Sequence, residues 1–86
     1  MAAKIKYHKR TLPILVRKKM GALIQYHREA SHFSRRGVAE VLGLHKQAPY
    51  HWEKGSVTPR MENLYSLVEL FELDSVFDLV PKEVLL

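Results

Sequence analysis

The chain has no cysteine. Disulfide staples and thiolate metal sites are therefore excluded, and 86 residues must hold one small domain together by packing alone. It also lacks any apolar run near the ~20 residues needed to span a bilayer, and the N-terminus shows no apolar segment with a secretory cleavage site. A soluble protein of the cytoplasm, with no membrane contact, is expected. Acids are scarce over most of the length. Residues 1–60 carry 13 Lys and Arg against Glu29, Glu40 and Glu53, a balance of +10. Residues 61–86 carry Lys82 against six acids, a balance of −5. That split suits a polyanion-binding face opposite a solvated back, although small domains are often lopsided and charge alone favours nucleic acid only somewhat.

Catalytic groupings are missing as well. No Ser has a His–Asp pairing at a recognisable spacing, there is no glycine-rich phosphate loop, and so small a domain leaves little room for a cleft. Neither an enzyme nor a cofactor is expected. The five His are dispersed, with His27 and His32 five apart and His45 and His51 six apart, so neither pair shares a helix face for a metal. No metal site is expected.

What is present is a core's worth of apolar residues, 47% of the chain, which argues against disorder. Residues 1–12, "MAAKIKYHKRTL", read as a basic arm; it is either a solvated tail or, with Tyr7 interleaved, an arm that follows a groove or a phosphate backbone. Thr11 is a candidate N-cap, with Pro13 just inside a first helix running to about Ala30. Val16, Met20, Leu23, Ile24 and His27 recur there at three- and four-residue steps. Gly21 breaks that face, which either lets another backbone approach closely or weakens the helix by up to ~1 kcal/mol. Ser34 can cap a second helix ending at Leu42, with Val38, Ala39 and Leu42 inward and Gly43 as its stop. A third helix ends at Gly55. Met61, Leu64, Leu67, Val68 and Phe71 mark a fourth by their 3.6-residue period, and Ser75 to Val80 allows a short fifth stopped by Pro81. The expected architecture is all-α: a compact five-helix domain over residues 13–80, preceded by the arm 1–12 and followed by an apolar tail 81–86.

The second and third helices are joined by a connection centred on Gly43-Leu44, too tight for antiparallel packing. That is helix-turn-helix geometry, in which the second helix of the pair projects its first residues into a major groove. "MGALIQYHREASHFSRRGVAEVLGLHKQAPYHWEKGSVTPRMENLYSLVELFELDSVFDLV" also resembles the Cro and phage-repressor family of helix-turn-helix regulators, in register over about 60 residues. The matching positions include Gly21, Ile24, Arg28, Ser34, Ala39, Leu42, Gly43, Trp52, Glu53, Gly55, Pro59, Leu64, Leu67 and Leu79. None is specific by itself; their combined spacing is. The same five-helix architecture is what the family implies.

The resemblance implies an ion pair between Arg28 and Glu53, with a structural and not a catalytic Glu53. It also implies three groups of DNA contacts. Arg35, first in the second helix, would hold a phosphate; Lys46, Gln47, Tyr50 and His51 would face base edges; Lys54, Ser56, Thr58 and Arg60 would grip phosphates on the other side. The chemistry suits these roles, because Lys can donate to guanine, Gln can pair bidentately with adenine, and cations hold phosphates. Double-stranded DNA and a second copy of the chain are the partners implied. Val84, Leu85 and Leu86, with Leu70, are apolar residues that a two-fold interface could shelter.

The departures from the family pattern are Arg35 in place of the usual Gln, Gly37 in place of a good helix former, His45 in place of a Ser or Thr cap, and Pro49 in place of a larger apolar residue. Pro49 allows two arrangements. A helix starting at His45 would carry the ring inside it, crowding the His45 carbonyl. A helix starting at Pro49, with Ala48 extended, would use the ring as its opening residue. The second is preferred, which leaves Lys46 and Gln47 on an irregular loop. The function expected is a sequence-specific transcriptional regulator, a repressor that binds a palindromic operator as a homodimer. The alternative is an antitoxin or protein-binding adaptor on the same fold, neutralising a partner toxin and controlling its own operon.

Overall fold

The computed structural model describes residues 13–82. The basic arm, with Thr11, and the apolar Val84, Leu85 and Leu86 lie outside the described residues. Four α-helices follow in order: α1 (Ile14–Ala30), α2 (Arg35–Leu42), α3 (Ala48–Lys54) and α4 (Met61–Leu70). A 3-10 turn over Val76–Leu79 stands where a fifth helix is expected. Its brevity has a local cause. Ser75 Oγ accepts from the Phe77 N–H at 3.1 Å, and the Asp78 carboxylate accepts from the Asp74 and Ser75 amides at 3.1 and 3.3 Å. These caps close a single turn, and Pro81, with no N–H, cannot continue it. There is no strand among the described residues.

Each helix leaves one stripe in a common core. Met20 and Ile24 come from α1, Val38 and Ala39 from α2, Trp52 from α3, and Leu64 and Leu67 from α4, with Phe71 and Leu79 closing the base. Burying each large side chain of this set contributes about 1.5–3 kcal/mol. The period of the fourth helix carries one exception, because Met61 is 59% exposed. It opens α4, before the stripe reaches the core. Pro13 sits one residue further out than its spacing predicts: it takes an extended conformation (φ −54°, ψ 146°) immediately before α1, and its carbonyl accepts the Arg17 N–H at 3.0 Å.

All four helices end the same way. After α2, Leu44 N–H bonds the Ala39 carbonyl and Gly43 N–H the Glu40 carbonyl; after α3, Ser56 and Gly55 bond His51 and Trp52 likewise. Gly43 and Gly55 supply the left-handed residue this closure needs, with φ of 71° and 87°. After α1 and α4 the same paired bonds form, but the left-handed residues are His32 (φ 64°) and Glu72 (φ 56°). A side chain in that conformation costs on the order of 1 kcal/mol, which the two recovered hydrogen bonds offset.

Candidate nucleic-acid interface

α3 is held against α1 over its C-terminal half. At Gly21 the two backbones meet: a Cβ there would lie 2.3 Å from the Trp52 carbonyl oxygen and 2.6 Å from that of Glu53. The Gly55 carbonyl accepts from Arg17 Nε at 3.0 Å, which ties the far end of α3 to the first turn of α1. Of the two consequences open for Gly21 in the sequence, close backbone approach is the one realised. Seating α3 this deeply presents its opposite side to solvent.

The start of α3 settles the position of Pro49. The helix opens at Ala48, one residue before the start preferred from sequence, and Pro49 is its second residue. Ala48 is helical and not extended, because its N–H closes a tight turn onto the His45 carbonyl at 3.0 Å. That carbonyl is the partner an amide at position 49 would have sought. The proline therefore removes no intrahelical hydrogen bond, and its ring is fully buried. His45 also does more than its sequence context suggests: its Nδ1 accepts from the Gln47 N–H at 3.1 Å, the role a hydroxyl or carboxylate oxygen plays in such turns. Lys46 and Gln47 lie on that turn, just outside the helix.

Pro49→Ile is accordingly expected to change the melting temperature by no more than ~4–8 °C, the equivalent of about 1 kcal/mol in a domain of this size. A thermal melt checks it. A gain approaching ~3 kcal/mol would mean the ring is strained inside a helix.

Arg28 and Glu53 meet beneath this surface. Arg28 Nε donates to Glu53 Oε2 at 2.6 Å and Nη2 to Oε1 at 3.3 Å, a bidentate contact, while Nη1 donates to the Phe33 carbonyl at 2.7 Å. The two side chains are only 9% and 3% exposed. A buried guanidinium is tolerated here because its donors meet a carboxylate in matching geometry and a carbonyl besides. Among the described residues no buried side-chain polar atom lacks a partner.

Glu53 has a second cation that sequence spacing does not reveal. Arg35 Nε donates to Oε1 at 2.8 Å, from a side chain that is 44% exposed. Its guanidinium carbon lies 5.7 Å from the centre of the Tyr50 ring, and Lys54 Nζ lies 5.5 Å from the same centre. The His51 ring meets Tyr50 edge-on, with centroids 5.3 Å apart. Tyr50 thus stands between two cations at cation–π range. The only sequence-level signal for this cluster is the Arg that replaces the family's usual Gln at the head of α2.

Lys46, Gln47, Tyr50, His51, Lys54, Ser56 and Arg60 are exposed and Thr58 is half-buried. No helix among the described residues is long and apolar enough to cross a membrane, and none of their His, Asp and Glu groups together in a set of three that could hold a metal. A search of curated proteins finds no match. A family model described as helix-turn-helix matches residues 24–77, a span that runs from within α1 into the 3-10 turn and takes in the whole of α2, α3 and α4. With well over half its length matched, the chain belongs to the Cro and phage-repressor type of helix-turn-helix family, a family of DNA-binding transcriptional regulators.

Proposed function

We propose that the protein is a non-enzymatic, sequence-specific repressor that binds a palindromic operator as a homodimer and occludes a promoter. The observation that carries this reading is the cluster in which Tyr50 stands exposed between Arg35 and Lys54. It joins the head of α2 to the outer side of α3, the two elements that straddle a phosphate backbone and a major groove in this geometry. Lys46, Gln47, Tyr50 and His51 then face base edges. Arg35, Lys54, Ser56, Thr58 and Arg60 hold phosphates on either side, and the Arg28–Glu53 pair is structural. The alternative is an antitoxin or protein-binding adaptor on the same fold that controls its own operon, and a Pro49 that broke α3 would favour it. At the second position of α3 the ring removes no intrahelical hydrogen bond, so Pro49 lends that alternative no support.

The test is a gel-shift series on random and selected duplexes at two salt concentrations. If each half-site neutralises ~4–6 phosphates, the dimer's log–log salt slope is expected at about −7 to −11. Binding that does not weaken between low and physiological salt would sink the proposal.

A further inference from the structure

We propose that Glu53 is a positioning residue for DNA reading, acting through Arg35 on the pose of Tyr50. The inference rests on the DNA-binding reading above and adds a residue to it that touches no DNA. The geometry has three links. Arg28 fixes the Glu53 carboxylate from within the core by two hydrogen bonds. The same carboxylate takes Arg35 Nε at 2.8 Å, and the Arg35 guanidinium carbon lies over the Tyr50 ring, 5.7 Å from its centre. Lys54 bounds the ring from α3 itself. A long, rotamer-rich side chain that would otherwise pay ordering entropy on contact with DNA is held in place beforehand.

The consequence is that Arg35 does two things at once. It offers charge to a phosphate, which carries no sequence information, and it sets the wall against which Tyr50 leans, which does. A lysine at 35 can supply the first but not the second. Its point charge has no Nε to engage Glu53 while a planar group with further donors lies over the ring.

Arg35→Lys therefore separates the two roles. On a duplex obtained by selection, this variant is expected to bind about tenfold more weakly, the scale of one charge-assisted hydrogen bond. It should also lose most of its penalty for substitutions at the base pairs opposite Tyr50, while substitutions elsewhere in the site keep theirs. Because Arg35 is partly exposed, its melting temperature should stay near that of the parent chain. Should it fold poorly, Glu53→Gln with affinity corrected for the folded fraction is expected to lose the same discrimination, and Arg35→Lys added to it should cost little more. An affinity within about threefold of the parent with every base-pair penalty intact would overturn the proposal. So would weakening that is uniform across all duplexes, the mark of a phosphate contact alone. If the unmodified chain shows no salt-sensitive binding to any duplex, the DNA-binding reading itself falls, and that outcome is distinct from the other two.

Discussion

Glu53→Ala and Arg28→Ala are each expected to lower stability by about 3–5 kcal/mol, and the double variant to lose clearly less than their sum. Either single change takes the main partner from a charge that is largely shut off from water, since the two side chains are 9% and 3% exposed. Removing Glu53 leaves the Arg28 guanidinium with the Phe33 carbonyl and a 3.6 Å approach to the exposed Glu29, and it releases Arg35 as well. Removing Arg28 leaves Glu53 with Arg35, a partner that is half in solvent, and leaves the Phe33 carbonyl without its donor. The second deletion in either background takes away a charge that has already lost its main partner, so it costs less than it does alone. Thermal or urea melts of the three variants measure the coupling. Strict additivity would contradict the contact. The magnitude does not mean that the pair itself adds several kcal/mol to the fold, because a well-packed apolar pair in its place could be equally stable.

Gly21→Ala is the other change with a large expected effect, and its sign runs against helix propensity. In the middle of an exposed helix, alanine would gain ~1 kcal/mol over glycine. Here the new methyl meets the Trp52 and Glu53 carbonyl oxygens at 2.3 and 2.6 Å, where ordinary contact begins at 3.4 Å. The obstacles are backbone atoms, so no side-chain rotation relieves them. α1 and α3 would have to separate by roughly 1 Å, and Trp52, Ile24 and Met20 would lose contact with their surroundings as they did. A net loss of about 3 kcal/mol is expected, and with it a fall in melting temperature of about 12–24 °C. A circular-dichroism melt at unchanged or higher temperature would show that α3 can move away without cost. If the exposed side of α3 meets DNA as proposed, binding to DNA should fall together with stability, because that side is positioned by the seat of α3 on Gly21.

Much of this architecture is written locally. The three- and four-residue spacing of apolar positions in α1, α2 and α4 depends only on the pitch of a helix, and Ser34, Gly43 and Gly55 mark ends by chemistry that acts within five residues. Ser34 Oγ accepts the Gly37 N–H at 2.9 Å, as its position before the second helix implies. The turn between α2 and α3 is legible for the same reason.

What the sequence leaves open depends on partners far along the chain or on competition between short-range forces. His32 and Glu72 carry no signal for a left-handed conformation; the paired bonds that close α1 and α4 impose it. Whether Ser75 to Val80 forms an α-helix or a single 3-10 turn depends on which amides the Asp78 carboxylate captures. Pro49 fits two starts for α3, and the hydrogen bond from Ala48 to the His45 carbonyl chooses between them. Arg35 and Glu53 stand 18 residues apart with no periodicity to link them. Composition and spacing therefore determined that a basic helix-turn-helix domain would form. Only the tertiary structure decided that one buried carboxylate would hold both the arginine of the core and the arginine of the surface, because only packing α1, α2 and α3 together brings those charges within hydrogen-bond reach.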